Sequence, residues 1–135
     1  MMLHMLKSKI HQARITEADV EYEGSLGIDE ELMEAVGLYP HEKILVANMN
    51  NGSRLETYAI PEPFGSRRIV LNGAAARLGS AGDRIIIMSF CQISEAEVHQ
   101  GRHQPRLIRL DEHNEPVQHP SRSPGAEEIA SMLEA

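Results

Sequence analysis

Hydrophobic and polar positions change period several times along this chain, and the changes divide it into short elements. From Leu3 to Ile15, apolar residues are interleaved with Lys7, Lys9, His11 and Arg14. Alternation with a period of two marks a strand, and a strand here puts Lys7, Lys9 and His11 on one face. The pattern carries that strand on through Val20 and Tyr22 to a break at Gly24-Ser25. The period then becomes helical. Asp29 fits an N-cap, Glu30 and Glu31 suit the positive end of a helix, Leu32, Met33 and Val36 share a face, and Gly37 supplies the stop.

Beyond Pro40 the alternation returns. Lys43 to Ala47 reads as a strand, Asn50-Asn51-Gly52-Ser53 as a hairpin turn, and Leu55 to Ile60 as the return strand, ended by Pro61 and Pro63. Ile69-Val70-Leu71 is another short strand. It leads into Asn72-Gly73-Ala74-Ala75-Ala76, where Asn72 fits a helix cap and Gly73 lets backbone amides approach a ligand. Gly79, Gly82 and Asp83 form a turn before the most apolar strand, Ile85 to Phe90, and a last strand is expected around Arg106 to Ile108. From Asp111 onward, Pro116, Pro120 and Pro124 among polar residues mark a loose tail, with a short helix at Glu127 to Leu133. Six or seven short strands with little helix predict a small, mainly β barrel over residues 1–110 and a tail over 111–135.

Composition narrows the chemistry. The 135 residues suit one domain, and with aromatics at 4% the core must be built from Ile, Val, Leu, Ala and Met. Thirteen Lys and Arg against twenty Asp and Glu give a net charge of −7, which argues against a nucleic-acid partner. The one cysteine, Cys91, permits no intrachain disulfide, and its apolar neighbours predict a buried, inert thiol. No apolar run approaches the roughly 20 residues that cross a bilayer, and no signal-peptide pattern follows Lys7 and Lys9. The expectation is a soluble cytoplasmic protein with no membrane partner.

Several familiar sites fail on spacing. Gly-x-Ser-x-Gly would need glycine at position 23, which is Glu23. His99 and His103 have helical spacing, but Gly101 lies between them and no further ligand accompanies them, so no metal is expected. Gly73 lacks the Lys-Ser/Thr of a phosphate loop. What remains is Gly24-Ser25, which sets a hydroxyl next to the carbonyl of a residue without a side chain. Alone, this dipeptide is an ordinary turn. The return strand adds Arg54, able to hold a carboxylate through two parallel hydrogen bonds, and Tyr58, a proton donor. Alternation puts Arg54, Glu56 and Tyr58 on one face and Thr57 on the other.

Lys7-Ser8-Lys9-Ile10-His11, Tyr22-Glu23-Gly24-Ser25, Asn51 to Tyr58 and Asn72 to Ala76 resemble, in order and spacing, the segments of pyruvoyl-dependent aspartate 1-decarboxylases. The resemblance covers about residues 1–110 and four segments together are specific. It implies a double-psi β-barrel with short helices, assembled as a homotetramer with sites between subunits. It also implies a precursor that cuts itself between Gly24 and Ser25 into a 1–24 chain and a 25–135 chain. The cofactor would be a pyruvoyl group made from Ser25, which forms a Schiff base with the amine of L-aspartate. Gly24, Ser25 and Thr57 match the self-cleavage residues, Thr57 supporting the oxyanion, and Tyr58 matches the proton donor of turnover. Lys9, Arg54, Thr57, Asn72, Gly73, Ala74 and Ala75 match substrate-binding positions. The implied product is β-alanine, for pantothenate synthesis. A non-enzymatic barrel module and a pyruvoyl decarboxylase of another acidic amino acid stay open, as does a maturation factor.

Overall fold

A computed structural model describes residues 1–117, so the helix expected at 127–133 lies outside the described residues. Eight strands form one sheet in the order β2-β6-β3-β5-β4-β7-β1-β8. They are β1 (Met2–Arg14), β2 (Glu17–Asp19), β3 (Ser25–Asp29), β4 (Lys43–Asn48), β5 (Arg54–Glu62), β6 (Ile69–Asn72), β7 (Arg84–Ser94) and β8 (Arg106–Arg109). Helices are short: α1 (Glu30–Val36), a 3-10 helix (Gly73–Leu78) and α2 (Glu95–His99). The fold is mainly β, as expected. The sheet curls like a barrel, but its edge strands β2 and β8 do not pair with each other.

Two strands were hidden in the pattern. β1 does not run on to Tyr22, because its partners change at Ile15 and Thr16. Ile15 donates its N–H to Asp83 O at 2.9 Å, and Thr16 donates to Ile69 O at 2.8 Å. β2 then restarts in parallel with β6, while Val20 and Tyr22 lie exposed in the turn that follows. β3 was not foreseen at all. Its residues Ser-Leu-Gly-Ile-Asp are buried on both faces, so there is no alternation for a pattern to reveal.

β5 also differs from expectation. It continues through Pro61, which pairs with Ile28, and ends only at Glu62. At Ala59 the strand leaves β4 and joins β3 in parallel, so Pro61 stands where one ladder has stopped and another has begun. α1 follows its signals closely: Asp29 accepts from the Glu31 N–H, and Gly37 takes the left-handed conformation at φ 73°.

The core is aliphatic, as the composition required. The largest fully buried side chains, among them Ile10, Leu26, Ile44, Leu71 and Ile87, come from strands on all sides of the sheet, with Leu32 and Met33 of α1 packed among them. Burying each of these is worth about 1.5–3 kcal/mol relative to exposure. Cys91 is only partly buried, because it lies near the end of β7 away from this core. The ordered contacts extend past Asp111. Asn114 is 2% exposed and ties the end of β1 to the loop before β6. It accepts from Arg14 N at 2.7 Å and donates to Arg14 O and Arg67 O.

Candidate active site

Ser25 opens β3 and is 1% exposed, although every residue from Thr16 to Gly24 before it is exposed. The chain thus dives from solvent into the sheet at the Gly24–Ser25 bond. β6 fixes the serine from one side: Ser25 pairs with Asn72 in the antiparallel ladder, and Asn72 Nδ2 donates to Ser25 Oγ at 3.1 Å. Ser25 Oγ in turn donates to Glu23 O at 3.4 Å. Asn72 makes no side-chain cap to the 3-10 helix. Contrary to the capping role expected for it, its amide is engaged by the serine.

β5 fixes the other side. Leu26 pairs with Ala59 in the parallel ladder, so the preceding residues, Ser25 and Tyr58, fall on the same sheet face. Tyr58 is half-buried and its ring lies 6.0 Å from that of His41, centroid to centroid. Thr57, two residues before the inward Ala59, points to the opposite face from Tyr58, as alternation required. His41 was not identified from the sequence. It holds φ 72°, and no local pattern announces its place beside Tyr58.

The matching cations lie elsewhere. Arg54 begins β5 on the Tyr58 face, four residues away, exposed and bonded only weakly to Gly52 O at 3.4 Å. Lys9 pairs with Met88 and Leu107 on β1, four strands from β3 in sheet order. Among the described residues its ammonium group has no hydrogen bond or ion pair. The shared face expected for Lys7, Lys9 and His11 is broken by register shifts on both sides of Ser8-Lys9-Ile10. Lys7 falls in the first, where it binds Glu42 at 2.7 Å and sits over the Tyr39 ring. His11 lies at the second, with its pKa lowered by burial and then by Lys9 and Arg109. His99 ends α2 and His103 lies beyond it, so they share no helix face.

A buried serine oxygen held by an amide thus follows directly on an exposed glycine. The whole described region, residues 1–117, matches the family model of aspartate decarboxylase. The chain belongs to the aspartate decarboxylase family. It is 57% identical over 113 residues to the aspartate 1-decarboxylase of Syntrophobacter fumaroxidans, covering 84% of this chain and 90% of that protein. It is 50% identical over 113 residues to the enzyme of that name from Salinibacter ruber, covering 84% and 76%. With the aspartate 1-decarboxylase of Maricaulis maris it shares 49% over 120 residues, covering 89% and 98%. For this family member, Ala74 and Ala75 follow Gly73 in the 3-10 helix, Ala74 exposed and Ala75 against the core. Among the described residues, no helix is long and apolar enough to cross a membrane.

Proposed function

We propose that this chain is the precursor of an aspartate 1-decarboxylase that makes its own pyruvoyl group at Ser25. Family membership supports decarboxylation of L-aspartate to β-alanine and CO2. The observation that carries the self-processing step is the buried Asn72–Ser25 hydrogen bond at 3.1 Å, at a junction where solvent-exposed chain becomes sheet. Ser25 Oγ bonds to the Gly24 carbonyl carbon, the peptide C–N bond breaks, and the hydroxyl proton passes to the freed nitrogen. The resulting ester loses the Ser25 α-proton and the Gly24 carboxylate. Water then converts the dehydroalanine to a ketone and ammonia. Thr57 is assigned support of the oxyanion by its likeness to the family's residue alone, since alternation turns it to the face opposite Ser25 and Tyr58.

The residues present fit such a group. A ketone at this position supplies an electron sink for the charge left at the α-carbon when CO2 departs. Asn72 and Gly73 to Ala75 line the approach, Tyr58 on the same face delivers the proton, and Arg54 holds the carboxylate that stays. Lys9 and Arg54 sit on strands three places apart in the sheet, roughly 14 Å at about 4.8 Å per strand. A site completed between copies belongs to the homotetramer the resemblance implies. The barrel over 1–110 and the cut chains 1–24 and 25–135 belong to the same reading.

Mass spectrometry of purified protein tests it. Two fragments should appear, 1–24 and 25–135, the second lighter than the plain peptide by one ammonia. Active protein that remains a single uncut chain would falsify the proposal.

A further inference from the structure

The backbone of Gly73 lies flush against the segment that carries the cleavage bond, and the contact is steric rather than polar. A β-carbon built on Gly73 would stand 2.6 Å from Gly24 Cα, 2.7 Å from Gly24 N and 3.0 Å from Tyr22 O. All three are backbone atoms, so no side chain can swing aside to make room. Gly73 also holds φ +68°, which other L-residues adopt at a cost. A β-carbon on Gly24, by contrast, meets nothing within 4 Å. The glycine that packing enforces is the one across from the cleavage bond, not the one that lends its carbonyl.

We propose that Gly73 is a positioning residue for self-cleavage, a role resting on the reading of Gly24-Ser25 as a self-cleaving bond. It lets the Asn72-Gly73 turn close on the chain from both sides of that bond. The Ser25–Asn72 rung ends the β3–β6 ladder, and Asn72 Nδ2 holds the attacking oxygen. One residue further, Gly73 bears on Gly24 itself and fixes the carbonyl to be attacked. The step it serves forms the Oγ–C bond, breaks C–N and moves the hydroxyl proton to nitrogen. Misplacing reacting atoms by about 1 Å costs on the order of a hundredfold. A β-carbon at position 73 demands a shift of Gly24 relative to the turn.

The test compares wild type, Gly73→Ala and Gly73→Asn for the rate of cutting, read by mass spectrometry, and for thermal stability. Both variants should fold and lengthen the cleavage half-time about a hundredfold. Asparagine tolerates positive φ but still carries a β-carbon. Normal cutting in Gly73→Asn would therefore assign the effect to torsion and overturn the contact. Gly73→Ala cutting at the wild-type rate would overturn it too. A second measurement uses uncleavable Ser25→Ala as background, where adding Gly73→Ala should speed hydrogen exchange of amides 22–25 far more than that of the core strands, with Tm lowered only modestly by the left-handed strain. Unchanged exchange, or a general loss of fold, makes Gly73 a plain packing residue and sinks the proposal. A wild-type chain that never cuts would defeat the parent reading instead, whatever Gly73 does.

Discussion

Ser25 and Asp29 are the two ends of β3, and both are buried, yet they are held in opposite ways. Asp29 has no side-chain exposure and accepts from Glu31 N, Gly65 N, Arg67 N and Arg67 Nη1, all within 2.9 Å. Burial alone would raise its pKa, but the backbone hydrogen bonds, Arg67 first, and the guanidinium together hold it below the ordinary value. Arg67 is gripped in turn by Glu115 and Glu31, and its own pKa is raised chiefly by Glu115. Among the described residues, the Ser25 hydroxyl has one bond from Asn72 and a long contact to Glu23 O. One end of the strand is over-determined and changes nothing. The other adjoins the bond proposed to be cut, and its side chain is held by far fewer hydrogen bonds. The comparison teaches where rigidity sits: the anchor registers the strand so that one hydrogen bond suffices at the chemistry.

The largest expected effect cuts the two ends apart. Ser25→Ala should leave a single chain with no decarboxylase activity, while Tm stays near that of the wild-type precursor. Loss of fold in that variant would show that Ser25 is itself an anchor. Next comes Tyr58→Phe, which keeps the ring and removes the donor. It should still cut at 24–25 but turn over about 10²–10⁴-fold more slowly. Blocked cutting with normal turnover in the processed fraction would reverse the assignment.

Asp29→Ala attacks the other end. Removing one partner from a buried, hydrogen-bonded ion pair costs about 3–5 kcal/mol, read from chemical denaturation. Protein that remains folded should still cut. The ends lie about 13 Å apart at roughly 3.3 Å per residue, so the stability effects of Asp29→Ala and Ser25→Ala should add. A coupling energy above about 0.5 kcal/mol would mean that the anchor reaches the serine. Arg54→Lys keeps the charge but loses the paired donors, and kcat/KM for aspartate should fall roughly ten- to a hundredfold with cutting unaffected. Unchanged kinetics would remove Arg54 from the site.

The smallest effect is in pH. His11 and Asp29 both have folded pKa values below their unfolded ones. The unfolded chain therefore takes up protons first, and stability falls as pH falls. The His11 contribution should begin to be lost below about pH 6.5 and that of Asp29 below about 3.9. Asp29→Ala should abolish the lower step and keep the upper. Persistence of the lower step would assign it to another carboxylate.

Local signals determined much of this protein. α1 could be read because its cap, its apolar spacing and its glycine stop act within one or two turns of chain. The aliphatic core and the β character followed from composition and alternation, and the four motif segments identified the family that the comparisons show. Tertiary structure decided the rest. β3 is buried on both faces, so its position depends on β5 and β6, residues far along the chain that no window contains. Pro61 stays inside a strand because β5 changes partners there, and Asn72 turns from a helix cap to a serine donor because β6 brings it 47 residues back to Ser25. Local sequence sets the torsions and faces of each element. Which atoms meet across the sheet is settled only when the ladders pair, and that is where the geometry around Ser25 lies.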